Sequence, residues 1–123
     1  MTKKVLIADD EQNIVISLEF LLKREGFEVI VAGDGEAALQ MIAEHRPDLV
    51  LLDVMMPKRN GYEVCQQIRA NSALKGVKVI MLTAKGREIE VAKGMALGAD
   101  AYVTKPFSTK DLVAEAKRML GVT

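Results

Sequence analysis

The sequence predicts a doubly wound α/β fold, with five parallel strands in one sheet and helices on both of its faces. Two observations carry this expectation. Five short apolar runs, several of them β-branched and nearly unbroken, recur along the chain as strands buried on both faces do. Between them lie stretches whose apolar residues repeat at helical period, so strand and helix alternate from end to end in serial βα units. A length of 123 residues suits one ordinary domain, residues 1–123, able to bury roughly two-thirds of its unfolded surface without disulfides or a structural metal.

The elements follow in order. Val5–Ala8 reads as the first strand. It is followed by Asp9-Asp10-Glu11 and a helix carrying Ile14, Leu18, Leu21 and Leu22 on one face, ended by Gly26. Asp9 and Asp10 are also candidate caps for that helix. Phe27–Ala32 is the second strand, and Asp34 caps a helix running to about Glu44. Asp48–Leu52 is the third strand. Asn60 with Glu63 forms a capping box before a helix with Gly61, Val64, Cys65 and Ile68 on one side. Val77–Leu82 is the fourth strand. The helical pattern around Gly86–Ala96 is the weakest, lacking a clear cap and holding Gly94, which costs about 1 kcal/mol against alanine; it is expected to be the most mobile helix. Ala101–Val103 is the fifth strand. Ser108 with Asp111 opens a last helix whose Leu112, Ala116, Met119 and Leu120 share a face and which Gly121 ends.

Composition narrows the function classes. The chain is 50% apolar and 28% charged, with 17 basic and 17 acidic side chains. Zero net charge argues against a general nucleic-acid or membrane-surface binder. It hides an asymmetry: residues 1–62 hold 7 basic and 11 acidic groups, and residues 63–123 hold 10 and 6. One cysteine and one histidine are too few for a disulfide or a zinc site. No signal peptide or membrane span is visible, so the protein is expected in the cytoplasm with Cys65 reduced. Cys65 falls on its helix's apolar stripe and reads as core. His45 reads as a surface residue at a helix end, and the methionines read as core filler apart from Met55.

In such a sheet, ligands bind beyond the carboxyl ends of the strands. The residues there are Asp9 and Asp10 after the first strand, Asp53 after the third, Thr83 after the fourth and Lys105 after the fifth. Three carboxylates, a hydroxyl and an ammonium thus converge from four strands. Carboxylates so close cannot all stay ionised unaided, and a hard divalent cation such as magnesium is the natural remedy. Lys105 supplies a fixed positive charge for a phosphoryl oxygen and Thr83 a hydroxyl donor, while a carboxylate can itself accept a phosphoryl group as an acyl phosphate.

The paired acids Asp9-Asp10, Asp53 within Leu51-Leu52-Asp53-Val54-Met55-Met56-Pro57 followed by Gly61, Thr83-Ala84, Tyr102, and Lys105-Pro106-Phe107 stand in order at the strand ends. Together they closely resemble the receiver (CheY-like) domain of two-component response regulators, over the whole chain. The resemblance implies a flavodoxin-like (βα)5 fold with strand order 2-1-3-4-5. It implies Asp53 as phosphoacceptor; Asp10, Asp53 and the Met55 backbone carbonyl as magnesium ligands, with Asp9 acting through water; and manganese as a possible substitute. It implies Lys105 and Thr83 as phosphate contacts, Thr83 and Tyr102 as the switch pair, and a cis bond between Lys105 and Pro106. Met55 and Lys85 flank the path of the hydrolytic water in this family, and neither orients water well, so a long-lived acyl phosphate is expected. The implied activity is a signalling switch that catalyses only its own phosphorylation and dephosphorylation. The phosphoryl group would come from a sensor histidine kinase or phosphotransfer protein. Output would pass to a protein target through the fourth helix, fifth strand and fifth helix, with no direct nucleic-acid or membrane contact, from a monomer or a phosphorylation-dependent dimer.

Three other readings compete. Gly33-Asp34-Gly35-Glu36-Ala37-Ala38 matches a dinucleotide-binding fingerprint. However, it follows the second strand, and its acids would meet the pyrophosphate. A haloacid-dehalogenase-type phosphatase needs an acid two residues after its nucleophile, where this chain has Met55. An FMN-binding flavodoxin-like protein needs a hydroxyl-rich phosphate loop after the first strand, where this chain has acids.

Overall fold

The computed structural model describes residues 2–83, 92–93 and 95–122. Its elements are β1 (Lys4–Ala8), α1 (Gln12–Arg24), β2 (Glu28–Ala32), α2 (Gly35–His45), β3 (Leu49–Asp53), α3 (Gly61–Ala70), a 3-10 turn at Ser72–Leu74, β4 (Lys78–Thr83), β5 (Ala101–Thr104) and the C-terminal helix α4 (Thr109–Met119). The expected helix around residues 86–96 lies largely outside the described residues. The five strands form one parallel sheet in the order β2-β1-β3-β4-β5. The chain therefore reverses direction across the sheet between β1 and β3, which opens a crevice beyond their carboxyl ends.

Side-chain alternation divides the core in two. Leu6, Val50, Leu52, Val79 and Met81 pack with Ala38, Ile42, Val64, Cys65 and Ile68 beneath α2 and α3. Val5, Ile7, Leu49, Leu51, Ile80 and Leu82 pack with Leu18, Leu22, Leu112, Val113 and Ala116 beneath α1 and α4. β3 is buried along its whole length, which explains why its sequence shows no polar alternation.

Caps fix where the helices begin. Asp34 accepts from the Ala37 N–H at 2.8 Å, Asn60 from Glu63 at 3.0 Å and Ser108 from Asp111 at 3.3 Å. Gly26 and Gly121 sit at φ +93° and +68°, the left-handed geometry that ends helices. The expected capping of α1 by Asp9 or Asp10 is not what forms. Its N-cap is Glu11, with no side-chain cap bond, and Asp9 Oδ1 instead accepts from the Glu11 N–H at 2.8 Å. The reading of the methionines also needs correction: Met95, like Met55, is exposed. Cys65 is buried, and His45 is exposed as the last residue of α2. Among the described residues, no helix is long and apolar enough to cross a membrane.

Candidate functional site

Three strand ends build the site. Asp53 is the last residue of β3, its backbone held in the ladder opposite Leu82. Asp9 directly follows β1, and its N–H reaches the Ala32 carbonyl at 3.2 Å. Lys105 follows β5. Alternation puts all three on one side of the sheet, since Asp9 continues the series Val5, Ile7, while Asp53 continues Leu49, Leu51 and Lys105 continues Ala101, Val103. Carboxylate oxygens of Asp9, Asp10 and Asp53 lie within 4.8 Å of one another. Asp9 and Asp53 are buried, and Asp10 is exposed.

Lys105 reaches into this cluster. Its Nζ lies 3.0 Å from Asp9 Oδ2, 3.5 Å from Asp53 Oδ2 and 2.8 Å from Glu11 Oε1. Burial works against the lysine's charge, but the Glu11 and Asp9 carboxylates, helped by Asp53, outweigh it and hold the amine above the ordinary lysine range. Asp53 goes the other way. Burial first, then the Asp9 charge with a smaller push from Asp10, raises its carboxyl from the usual 3.8 to about 7, against the opposing pull of Lys105 and the Met55 N–H. That N–H donates to Asp53 Oδ1 at 3.2 Å.

A single ammonium therefore faces more carboxylate than it can neutralise. Asp9 Oδ2 sits near Lys105 at an angle that makes no hydrogen bond, and it is the one buried side-chain oxygen among the described residues left without such a bond. A buried oxygen in that state, with two further carboxylates at ligand spacing, is a donor set suited to a hard divalent cation.

Thr83 and Tyr102 share the sheet edge but not the face. Thr83 ends β4 and continues the series Val79, Met81. Tyr102 pairs with Met81 in β5, so both fall on the side covered by α2 and α3. Thr83 is buried. The Tyr102 hydroxyl lies 3.2 Å from the Tyr62 hydroxyl. The Lys105–Pro106 peptide bond is cis. Lys85 lies outside the described residues. Glu11 and Tyr62 carry no sequence signal of their own, Glu11 standing behind the acid pair and Tyr62 inside a capping box.

The loop from Asp53 to α3 is clamped shut. The Gly61 N–H donates to the Val54 carbonyl at 2.9 Å, and a Cβ on Gly61 would overlap the Asp53 carbonyl. A Cβ on Gly35 would likewise overlap the Arg59 backbone. The second glycine of the dinucleotide-like motif thus serves close packing of the start of α2 against the loop before α3, and its Asp34 serves a helix cap.

Residues 5–117 match the family model of the response regulator receiver domain. The chain belongs to that family. Solved receivers superpose closely. The BeF3-activated receiver domain of DrrB, from Thermotoga maritima, is 36% identical, with a TM-score of 0.89 over 98% of this chain and 99% of that one. The chemotaxis protein CheY4 of Vibrio cholerae is 32% identical, with a TM-score of 0.90 over 97% and 99%. A CheY-like receiver domain protein from Methanospirillum hungatei is 30% identical, with a TM-score of 0.91 over 98% and 95%. The receiver is thus a response-regulator module of a two-component system, a class that works with histidine kinases and downstream effectors.

Proposed function

We propose that this receiver is a phosphorylation switch with Asp53 as the phosphoacceptor. One observation carries the reading: Asp53 ends a buried strand 3.5 Å from Lys105 Nζ, inside a trio of carboxylates at cation-ligand spacing. Asp10, Asp53 and the Met55 carbonyl would hold magnesium directly and Asp9 through water, with manganese able to substitute. Bound there, the cation offsets the negative charge of the carboxylates and of the incoming phosphoryl group.

An Asp53 carboxylate oxygen attacks the phosphorus of a phosphohistidine on a sensor kinase or phosphotransfer protein. The oxygen–phosphorus bond forms as the nitrogen–phosphorus bond breaks, and the donor imidazole leaves and takes up a proton. Lys105 gives its charge to a phosphoryl oxygen, and Thr83 offers its hydroxyl. Thr83 and Tyr102 then bias two arrangements of the surface around β5 and α4, and output passes to a protein partner in the cytoplasm without direct contact to nucleic acid. The receiver acts as a monomer or as a phosphorylation-dependent dimer.

The test is intact mass after treatment with acetyl phosphate, with and without magnesium, beside Asp53→Asn, with beryllofluoride binding as a second probe. One phosphoryl group is expected on the wild type with magnesium and none on the variant. Equal labelling of both, or no labelling together with no beryllofluoride binding, would sink the assignment.

A further inference from the structure

Tyr62 is the second residue of α3, directly after the glycine clamped against the Asp53 carbonyl. Its ring packs on the α2–α3 side of the core, as does that of Tyr102, and its hydroxyl meets the Tyr102 hydroxyl at 3.2 Å. Lys93 sets its Nζ 4.6 Å from the centre of the Tyr62 ring. This contact ties the start of α3 to β5 across forty positions of sequence. It also gives a short mechanical path from the acid cluster to Tyr102: Asp53 to Gly61 by backbone contact, Gly61 to Tyr62 by covalent bond, and Tyr62 to Tyr102 by hydrogen bond. Thr83 lies on the same face of the sheet, two residues along β4 from the Met81 that pairs with Tyr102.

We propose that Tyr62 is a positioning residue for Tyr102, its hydroxyl favouring one arrangement of Tyr102, so that this bond and occupation of the Asp53 site are energetically coupled. The inference rests on the reading of Asp53 and Tyr102 given above and adds a regulator to it. A hydroxyl–hydroxyl bond in a half-buried setting restrains an equilibrium by a few-fold to about tenfold. Removing it shifts the population toward whichever state lacks it.

The chain has two tyrosines and no tryptophan, so its intrinsic near-ultraviolet emission arises wholly from this pair. That permits a direct double-mutant cycle on the full chain. Tyr62→Phe keeps the ring, its packing and the face toward Lys93, and deletes only the hydroxyl. Beryllofluoride affinity is measured with magnesium present, by calorimetry for wild type, Tyr62→Phe, Tyr102→Phe and the double variant, and independently by tyrosine emission for the three that keep a tyrosine.

The expected result has three parts. Wild-type emission changes on ligation, Tyr62→Phe changes beryllofluoride affinity by about three- to tenfold, and the same substitution has no effect in the Tyr102→Phe background. A purely structural role for Tyr62 would shift both backgrounds equally. That outcome, or an unchanged affinity in Tyr62→Phe, would overturn the inference while leaving Asp53 in place. Failure of the wild type itself to take beryllofluoride would bring down the phosphoacceptor reading, and the switch role of Tyr62 with it.

Discussion

Asp53 pays for its position before any ligand arrives. Its carboxyl is raised from 3.8 to about 7, chiefly by burial and next by Asp9. A group raised in this way binds its proton more tightly folded than unfolded. Stability therefore falls as pH rises through the window from the unfolded value to the folded one, and the full cost is present above it. Asp53→Asn keeps the shape and removes the charge, so in the metal-free protein it should stabilise by on the order of 2 kcal/mol at about pH 8. The gain should fade as pH falls toward about 4. Urea unfolding in chelator across that range checks this, and a gain independent of pH would contradict the assigned cause. The carboxylates and Lys105 were legible in the sequence because each stands at the end of an apolar run, and strand ends in a doubly wound sheet share one edge. Glu11 and Tyr62 were not, because their partners lie 94 and 40 positions away. No local pattern announces a contact at that distance.

At the scale of elements, apolar runs located every strand but misplaced the ends. β3 and β4 each extend one residue past the hydrophobic run, to Asp53 and Thr83. Hydrophobicity reports burial, whereas the ladder continues for as long as a neighbour supplies hydrogen bonds. The consequence is functional: both polar residues are fixed by strand backbone rather than carried on a loop. The same logic makes Gly61 costly to change. Gly61→Ala must push α3 away from the Asp53 carbonyl and should destabilise by about 1–3 kcal/mol, while also weakening beryllofluoride binding, because Asp53 would shift with its loop. The far edge of the sheet offers the contrast. Arg69 on α3 donates to the Gly98 and Val77 carbonyls and to Asp100 Oδ2, each at 2.8 Å, and that same oxygen accepts from the Val79 N–H at 2.8 Å. Arg69→Ala should cost about 2–4 kcal/mol in denaturant unfolding yet leave beryllofluoride affinity nearly unchanged. Equal losses of binding in the two variants would mean that the edges are not separable. The capping and periodicity that named these helices said nothing of Arg69, whose partners belong to the turns before β4 and β5.

Across the whole molecule, zero net charge is a balance between unlike halves, with 11 of the 17 acidic groups in residues 1–62. The fold gathers three of those acids at one edge and brings to them a lysine from the other half. One ammonium against Asp9, Asp53 and Glu11 leaves the cluster short of positive charge, so a cation held there, as proposed above, would link its binding to folding. A cation that binds only the folded chain stabilises it by about 2.7 kcal/mol at a hundredfold excess over its dissociation constant. Magnesium should therefore raise the melting temperature of the wild type in a concentration-dependent way and leave that of Asp53→Asn nearly still. Protons compete for the same oxygens. Because burial and then the Asp9 charge raise the Asp53 carboxyl to about 7, a proton must leave it before a cation can use both of its oxygens. Affinity should then weaken as pH falls below that value, approaching roughly tenfold per pH unit, and become insensitive to pH above it. Calorimetric titration of magnesium in buffers of different ionisation heat reads both the affinity and the proton released. Proton release of about one per cation near pH 6, falling toward none near pH 8, is the expected pattern. A flat affinity profile with no proton release would mean that the cation binds Asp10 and its neighbours without engaging Asp53.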